Sequence, residues 1–359
     1  MNSIGLKKGY VSEIIKDYDD IQEIIVEIDK EKYGAINYKM FTGTCSCMDE
    51  VLLNTSAIDL KLGTGGYHFV YFNYNNDNSE IKGSGHIMKL RYTPLQFKCF
   101  SVEEQESPFH KEINEFESLF GHPIAVGTLH SQVSVFFEAF KKFSPQSKTV
   151  YIMTDGAALP ISLSNNIRKL KEENIIDYTI TTGNSFGGDF EAVNVYTAII
   201  MAREVLKAGA IMICMGPGIV GTGTKYGFTG IEQGYILDSI ASLGGTPVAI
   251  PRVSFKDFRS RHHGLSHHTL TILKDIVKTQ CIVPFAIDDE NSYSLIENTI
   301  NTESLLNKHN FINYKKSIYS DLVADFVIRP KSMGRSYKDD PYLFNCSIAA
   351  AEYISERID

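Results

Sequence analysis

The densest concentration of residues that could do chemistry lies between Arg252 and His268. Four histidines, three arginines and one lysine fall within these 17 residues, in a chain whose formal net charge is −8. Ser266 is a typical N-cap residue and would place His267 and His268 in the first turn of a helix. The positive end of the helix dipole lowers a histidine pKa, which favours neutral imidazole as a base or a metal ligand.

The arginines of the same segment indicate an anion. We predict that Arg259 and Arg261 clamp a phosphate or carboxylate, because a guanidinium group offers paired donors to such oxygens. His262 and His263 precede the predicted cap on irregular backbone, so their role stays open. The alternative interpretation is a solvated basic loop.

Residues 216–227, called the glycine loop below, contain five glycines in 12 residues. Successive backbone N–H groups in such a turn cradle phosphates or carboxylates. The residues predicted to bind the ligand are Gly216, Gly218, Gly221, Thr222, Gly223 and Thr224, with Lys225 adding a charge. The Gly-Lys-Ser/Thr of a Walker motif is missing. The first three glycines match the dinucleotide spacing, but no helix starts at once and no acidic residue follows at the usual place. A tight turn without ligand is the alternative.

Acidic residues follow two further predicted strands. Asp155 comes directly after an apolar run, while Gly187, Gly188, Asp189 and Glu191 open a predicted helix. The three carboxylates are candidates for acid–base catalysis or metal binding, and the two glycines would let the backbone approach a ligand. The alternative for each carboxylate, Asp189 above all, is a helix cap.

The elements that must position these residues begin after about residue 95, where short apolar runs alternate with amphipathic stretches. Strand candidates are 97–102, 124–127, 149–154, 178–182, 210–215, 247–250 and 282–285, and helix candidates are 131–143, 160–173, 190–207, 230–243 and 266–279. This alternation predicts an α/β fold with a doubly wound, mostly parallel sheet. Ligands bind such sheets at the carboxyl ends of the strands, where Asp155 and the glycine loop would lie.

The N-terminal part has a different pattern. Short alternating segments at 9–15, 23–28, 33–38, 50–53 and 67–72 predict strands of a small closed barrel or sandwich. We therefore expect two domains, a small β-barrel-like domain over residues 1–95 and a Rossmann-like α/β domain over residues 96–359. The C-terminal stretch from residue 290 predicts helices and one short strand at 324–328.

The composition excludes several classes of protein. The acidic balance, with a pI near 5.7, argues against nucleic acids and anionic membranes as partners. Six scattered cysteines do not form a disulfide framework and suit a reducing compartment. The first residues lack a signal peptide, and no apolar run is long enough to cross a bilayer, so we expect a cytoplasmic protein. A homo-oligomer is left open.

Seven segments together resemble an uncharacterised bacterial family, domain of unknown function number 3866, over essentially the whole chain. They are 62–69 (LGTGGYHF), 85–96 (GHIMKLRYTPLQ), 153–160 (MTDGAALP), 186–196 (FGGDFEAVNVY), 215–224 (MGPGIVGTGT), 230–234 (GIEQG) and 266–269 (SHHT). The resemblance implies no activity, so it carries no catalytic residues to this chain.

The leading functional hypothesis is an enzyme that acts on a small anionic or phosphate-bearing metabolite, as a hydrolase or a transferase. A divalent metal is the one cofactor that the acidic residues and histidines leave open. The alternative is a non-catalytic sensor that binds a nucleotide or similar metabolite and contacts a protein partner. A barrel that binds RNA is a third hypothesis, which the acidic balance disfavours.

Overall fold

The computed structural model describes residues 3–62, 65–76, 83–314 and 319–358. Gly63 and Thr64, which belong to one of the family-like segments, lie outside these residues. The chain divides into two compact units, one of residues 1–84 with 93–95 and one of residues 85–92 with 96–359. Within the described part, no helix has the length and apolar character that crossing a membrane requires.

The first unit is a closed five-stranded barrel. Its strands are β1 (Leu6–Asp17), β2 (Ile21–Ile28), β3 (Glu31–Tyr38), β4 (Glu50–Asn54) and β5 (His68–Asn73). They follow the order β1-β2-β3-β5-β4, and β1 pairs with β4 to close the barrel. The β3–β5 pair is parallel, which is the strand arrangement of an OB-fold. Alternate residues such as Val11, Ile24 and Leu53 fill the interior.

The second unit opens with a short hairpin of β6 (Ile87–Lys89) and β7 (Phe97–Cys99). Eight parallel strands then form its main sheet: β8 (Pro123–Val126), β9 (Thr149–Thr154), β10 (Tyr178–Thr182), β11 (Phe190–Ala192), β12 (Ala210–Met215), β13 (Thr246–Ala249), β16 (Ile282–Phe285) and β17 (Asn310–Asn313). Two small pairs, β14 (Val253–Ser254) with β15 (Gly264–Leu265) and β18 (Lys331–Ser332) with β19 (Arg335–Ser336), lie outside it.

The helices connect these strands. Their bounds are α1 (Lys39–Thr42), α2 (Ser56–Asp59), α3 (His110–Asn114), α4 (Ser131–Phe143), α5 (Asn165–Glu172), α6 (Val195–Ile200), α7 (Glu232–Ser242), α8 (His267–Thr271), α9 (Glu290–Thr302), α10 (Tyr319–Ala324) and α11 (Pro341–Ser355). Helices α6 and α8 each continue as one π-helical turn, Met201–Val205 and Ile272–Ile276. Such turns are rare and occur frequently at functional sites.

The sheet order is β11-β10-β9-β12-β8-β13-β16-β17. The chain leaves β9 towards β10 and leaves the neighbouring β12 towards β13, so the winding direction reverses between β9 and β12. Right-handed crossovers in opposite directions place helices on opposite faces, which explains why every residue of β9 and β12 is buried. A reversal of this kind opens a crevice at the carboxyl ends of the strands.

Both parts of the predicted fold are confirmed, with three local corrections. Residues 324–328 are not a strand, because α10 runs to Ala324 and irregular backbone follows. The predicted helix 190–207 instead starts with β11, and α6 begins only after its N-cap Asn194. Strand β17 was not predicted.

Candidate functional site

Three histidines meet at the start of α8. Ser266 is the N-cap of this helix, as predicted, and its hydroxyl accepts from the His268 backbone N–H at 3.3 Å. The rings of His262, His267 and His268 lie with their centroids 4.3 to 5.0 Å apart. One ring nitrogen from each lies within 4.8 Å of the other two. These three residues are called the histidine cluster below.

The histidine cluster is held by buried contacts. The side chains of His262 and His268 are almost fully buried, at 2% and 8% exposure. His262 Nδ1 lies 2.7 Å from Ser266 Oγ, and the ring of His268 stacks on Phe228 with 3.9 Å between centroids. The Nε2 atom of His267 is buried and has no hydrogen-bond partner in the described part of the chain. An unpartnered buried nitrogen costs free energy unless a ligand satisfies it.

The surroundings of the histidine cluster favour the uncharged form of all three imidazoles. Burial lowers the pKa of His262 and of His268 to about 3, and it also lowers the pKa of His267. Nearby arginine side chains act in the same direction, because like charges disfavour a further cation. Neutral imidazole was expected from the helix dipole, whereas burial is the largest cause in the structure.

An arginine cluster lies beside the histidines, formed by Arg252, Arg259 and Arg335 around the buried carboxylate of Asp257. Arg259 forms a fork, with Nε and Nη2 both 2.9 Å from the two carboxylate oxygens. The Arg259 hydrogen bonds hold the pKa of Asp257 well below its usual range. Arg335 also pairs with Asp340 at 3.4 Å.

The arginine cluster keeps unused capacity for an anion. Its three guanidinium groups face the two carboxylates of Asp257 and Asp340. The Nε donors of Arg252 and Arg335 are buried and lack a partner within the described residues. Burial also lowers the pKa of Arg252 to about 10, which leaves it charged at neutral pH.

The glycine loop joins two parts of the site. Its first turn touches the loop after β9, since Ala158 N donates to Pro217 O at 3.0 Å. Further along, a Cβ built on Gly221 would lie 3.7 Å from His268 Cε1. Thr222 N donates to Gly227 O at 2.8 Å, closing an exposed turn whose Gly223 has φ +79°.

A pair of acidic residues lies where β9 ends. Thr154 donates its hydroxyl to the carboxylate of Glu232, the first residue of α7. Burial, with a smaller contribution from the negative charge of Asp155, raises the pKa of Glu232 to about 7, although the hydrogen bond from Thr154 opposes the rise. Asp155 itself is exposed and accepts from Asn184 N at 2.9 Å. A Cβ on Gly156 would lie 2.5 Å from Glu232 Oε2, so the carboxylate covers this glycine closely.

The structure does not bring Asp189 to Asp155. Asp189 precedes β11 and accepts from Thr179 N at 2.7 Å, near the amino end of β10. It also pairs with Lys171 at 2.7 Å. Asp155 lies at the opposite, carboxyl end of the sheet. The alternative interpretation of Asp189 as a helix cap is wrong as well, because Asn194 caps α6.

Glu191, Gly187 and Gly188 are occupied by contacts within the fold. Lys89, which is 1% exposed, pairs with the Glu191 carboxylate. Gly187 N donates to Glu191 Oε1 at 2.8 Å, and Gly188 N donates to Thr181 Oγ1 at 3.1 Å. These donors therefore hold the turn together and are not directed at a ligand.

The remaining predicted cations differ in their surroundings. Lys225 pairs with Asp275 of the π-helical turn at 2.9 Å, so its charge is partly balanced. Arg261 is exposed next to the histidine cluster.

The residues that sequence reasoning missed are Glu232, Arg252, Asp257 and Arg335, and it left His262 unassigned. Only two of them could have been found from the local sequence. Glu232 lies near the start of the predicted helix 230–243, and Arg252 lies just after the predicted strand 247–250.

A Ser–His pair, Ser164 with His130, lies next to the end of β12, where the glycine loop begins. His130 Nδ1 donates to Met215 O at 3.2 Å, so Nε2 accepts from Ser164 Oγ at 2.7 Å. Such a pair resembles a nucleophile with its base. However, Ser164 is 5% exposed and caps α5 by accepting from Ile167 N at 3.3 Å. We therefore assign the pair to the packing of this loop.

A cavity of about 580 Å³ lies at the other edge of the sheet. Lys148, Arg203 and Lys207 line it beside His122, close to the amino ends of β8, β9 and β12. It is thus separate from the clusters at the carboxyl ends, where this fold class binds its ligands.

The model of a family described as protein of unknown function (DUF3866) matches residues 34–351. No curated protein matches the chain.

Proposed function

Given that the chain belongs to the DUF3866 family of proteins of unknown function, we propose that it is an enzyme acting on a small anionic, phosphate- or carboxylate-bearing metabolite. The proposed reaction class is hydrolysis or group transfer. The proposal includes the prediction that the protein acts in the cytoplasm.

One observation carries this proposal: neutral imidazoles of the histidine cluster lie beside the partly unsatisfied arginine cluster. A solvated basic loop, the alternative role of this segment, would expose its side chains. Instead, Arg252, His262 and His268 are each at least nine-tenths buried. Burying charged and polar groups costs free energy unless they are paired, so their retention together favours a binding site.

The anion would lie between the arginine cluster and the glycine loop. Arg259 uses Nε and Nη2 on Asp257, which leaves Nη1 for an oxygen of the substrate. Arg261 supplies a second, exposed guanidinium. Backbone N–H groups at the tip of the glycine loop would complete the donors, as in other anion-binding turns.

Two kinds of groups would handle protons. The neutral imidazoles of the histidine cluster can accept a proton or bind a metal. Glu232, with its pKa raised to about 7, can exchange a proton near neutral pH, where a general acid or base works best. Burial keeps this pKa high, and the neighbouring charge of Asp155 adds to the effect.

The test is turnover by a small amount of enzyme. The full chain is incubated with a tenfold or larger excess of p-nitrophenyl phosphate and of a pooled set of phosphorylated and carboxylated metabolites. Orthophosphate release and new masses are followed. We expect more product than enzyme, loss of turnover in His268→Gln, and unchanged turnover in the control His263→Gln, whose side chain is exposed outside the cluster.

The same experiment separates catalysis from sensing. Tight binding of a pool member with no product at any time would contradict the enzyme and favour the non-catalytic sensor. Turnover that survives His268→Gln would show that the reaction does not depend on the histidine cluster.

A further inference from the structure

We propose that His262, His267 and His268 form a binding site for a zinc-like divalent metal ion with one coordination position open to solvent or an anion. The inference goes beyond the proposed function, because metal binding is measurable without any substrate.

The positions of the three ring nitrogens allow them to bind one metal ion together. One ring nitrogen of each histidine lies within 4.8 Å of the other two. Nitrogens that share a tetrahedral zinc lie about 3.3 Å apart, as follows from zinc–nitrogen bonds of about 2.0–2.1 Å. A contraction of about 1.5 Å or less, by small ring rotations, therefore brings the three donors around an ion.

The hydrogen bonds of the histidine cluster leave ring nitrogens available to bind a metal. With its proton on Nδ1, His262 donates to Ser266 Oγ at 2.7 Å and keeps a lone pair on Nε2. Metal-binding histidines almost always donate their second nitrogen in this way. His267 Nε2 has no partner among the described residues although it is buried. A metal would satisfy this nitrogen, whereas no side chain that the structure describes does so.

The donor set selects the type of ion. Three imidazoles without a carboxylate suit zinc, and also copper, nickel or iron, because these ions accept nitrogen ligands. Calcium and magnesium require oxygen ligands and do not fit. Three protein ligands leave a fourth position, which is the arrangement of catalytic rather than structural zinc sites.

The neighbouring arginines set a condition on this site. The charges of Arg252, Arg259 and Arg261 act on these histidines, so they oppose a divalent cation. The same charges attract an anion to the open position, and a bound anion offsets the repulsion. Because coupling between two ligands is reciprocal, inorganic phosphate should tighten metal binding and the metal should tighten phosphate binding.

The experiment uses the full chain without a polyhistidine tag, purified without chelator. Elemental analysis is expected to find about one zinc ion per chain. After removal with a chelator, titration with Co²⁺ should give the visible absorption bands of a tetrahedral site. A competition titration with a chromophoric chelator then measures the zinc affinity with and without inorganic phosphate.

His267→Ala is the decisive variant, because His267 is only partly buried and its Nε2 has no partner to lose. Its zinc affinity should fall by about 100-fold or more while its unfolding temperature before metal addition stays near that of wild type. Ser266→Thr keeps a hydroxyl and should keep the metal, whereas Ser266→Ala should weaken it by about 10–100-fold.

Two controls cover adventitious binding. His263→Ala lies in the same segment but outside the cluster. His86→Ala alters the His86–Glu104–Glu106 group, which also has metal-like spacing and in which His86 and Glu106 are exposed. Both should bind zinc like wild type. The inference is overturned if folded wild type binds no stoichiometric zinc, if His267→Ala binds as tightly as wild type, or if only His86→Ala loses the ion.

Discussion

The hydroxyl of Thr154, the last residue of β9, donates to the carboxylate of Glu232, the first residue of α7. This contact ties the end of one strand to the start of a helix that follows the glycine loop. Burial raises the pKa of this acid to about 7, and the hydrogen bond from Thr154 opposes the rise. The pair therefore links the positioning of the site to its response to pH.

Glu232→Gln should change the pH dependence of stability. The carboxyl has an ordinary pKa of 4.5 and a folded pKa of about 7, so the folded protein holds this proton more tightly than the unfolded chain. Stability is therefore lost as pH rises from about 4.5 to about 7, by on the order of 3 kcal/mol. The variant should lack this loss and be more stable than wild type at pH 8.

Denaturant titrations at pH 4.5, 6 and 8 check this expectation. Glu138, whose pKa is also about 7, remains in both proteins, so their difference isolates Glu232. Exposed Glu115→Gln should run parallel to wild type. Equal stability differences between Glu232→Gln and wild type at all three values would contradict the raised pKa.

Gly221→Val should weaken anion binding without unfolding the protein. A Cβ at this position stands at ordinary contact distance, 3.7 Å, from both His268 and Phe228, so the further methyl groups of valine would crowd the histidine cluster. Calorimetry with inorganic phosphate should show at least a tenfold weaker affinity. Gly221→Ala is the matched control and should bind almost normally. Normal binding by the valine variant would identify the loop as a turn only.

Asp257→Ala should be strongly destabilising. Its buried carboxylate pairs with Arg252, Arg259 and Arg335, and its removal leaves three guanidinium groups without this partner. Breaking a buried pair from one side costs about 3–5 kcal/mol, which denaturant unfolding would measure. Asp325→Ala removes an ion pair whose carboxylate is 73% exposed and should cost at most about 1 kcal/mol. Similar losses in both variants would contradict the importance of the arginine cluster.

Asp155→Asn and Asp189→Asn should separate function from stability. The Asp189 carboxylate accepts from Thr179 and Lys171 at the amino side of the sheet, so its loss should lower the free energy of unfolding by about 1–3 kcal/mol and leave turnover intact. Asp155→Asn should reduce turnover with little change in stability. The opposite assignment, in parallel activity and melting measurements, would place the reactive carboxylate at Asp189.

The sequence could predict the sheet because its strands are buried on both faces. The runs 149–154, 178–182, 210–215 and 282–285 are continuously apolar or β-branched, and each coincides with an observed strand. The run 190–192 is too short to differ from a helix start by periodicity. Its pairing with β10 decides its conformation instead.

The site could be predicted only where its residues are close in sequence. Ser266 and the adjacent histidines form a local capping pattern, which the structure confirms. Arg335 reaches Asp257 across 78 residues, and no local pattern reports such a contact. Asp189 was expected at the carboxyl side of the sheet, at the start of a helix. The residues that follow it instead form β11, which runs parallel to β10, so Asp189 lies at the amino side.

The buried ion pair between Lys89 and Glu191 has a consequence for dividing the chain. Lys89 also donates to Ser185 O at 2.5 Å and is 1% exposed, so β6 is part of the packing around β10 and β11. A fragment that starts at residue 96 would leave this carboxylate without its cation. Residues 85–92 accordingly belong to the second unit, and we expect a fragment that begins at Gly85 to be more stable than one that begins at residue 96.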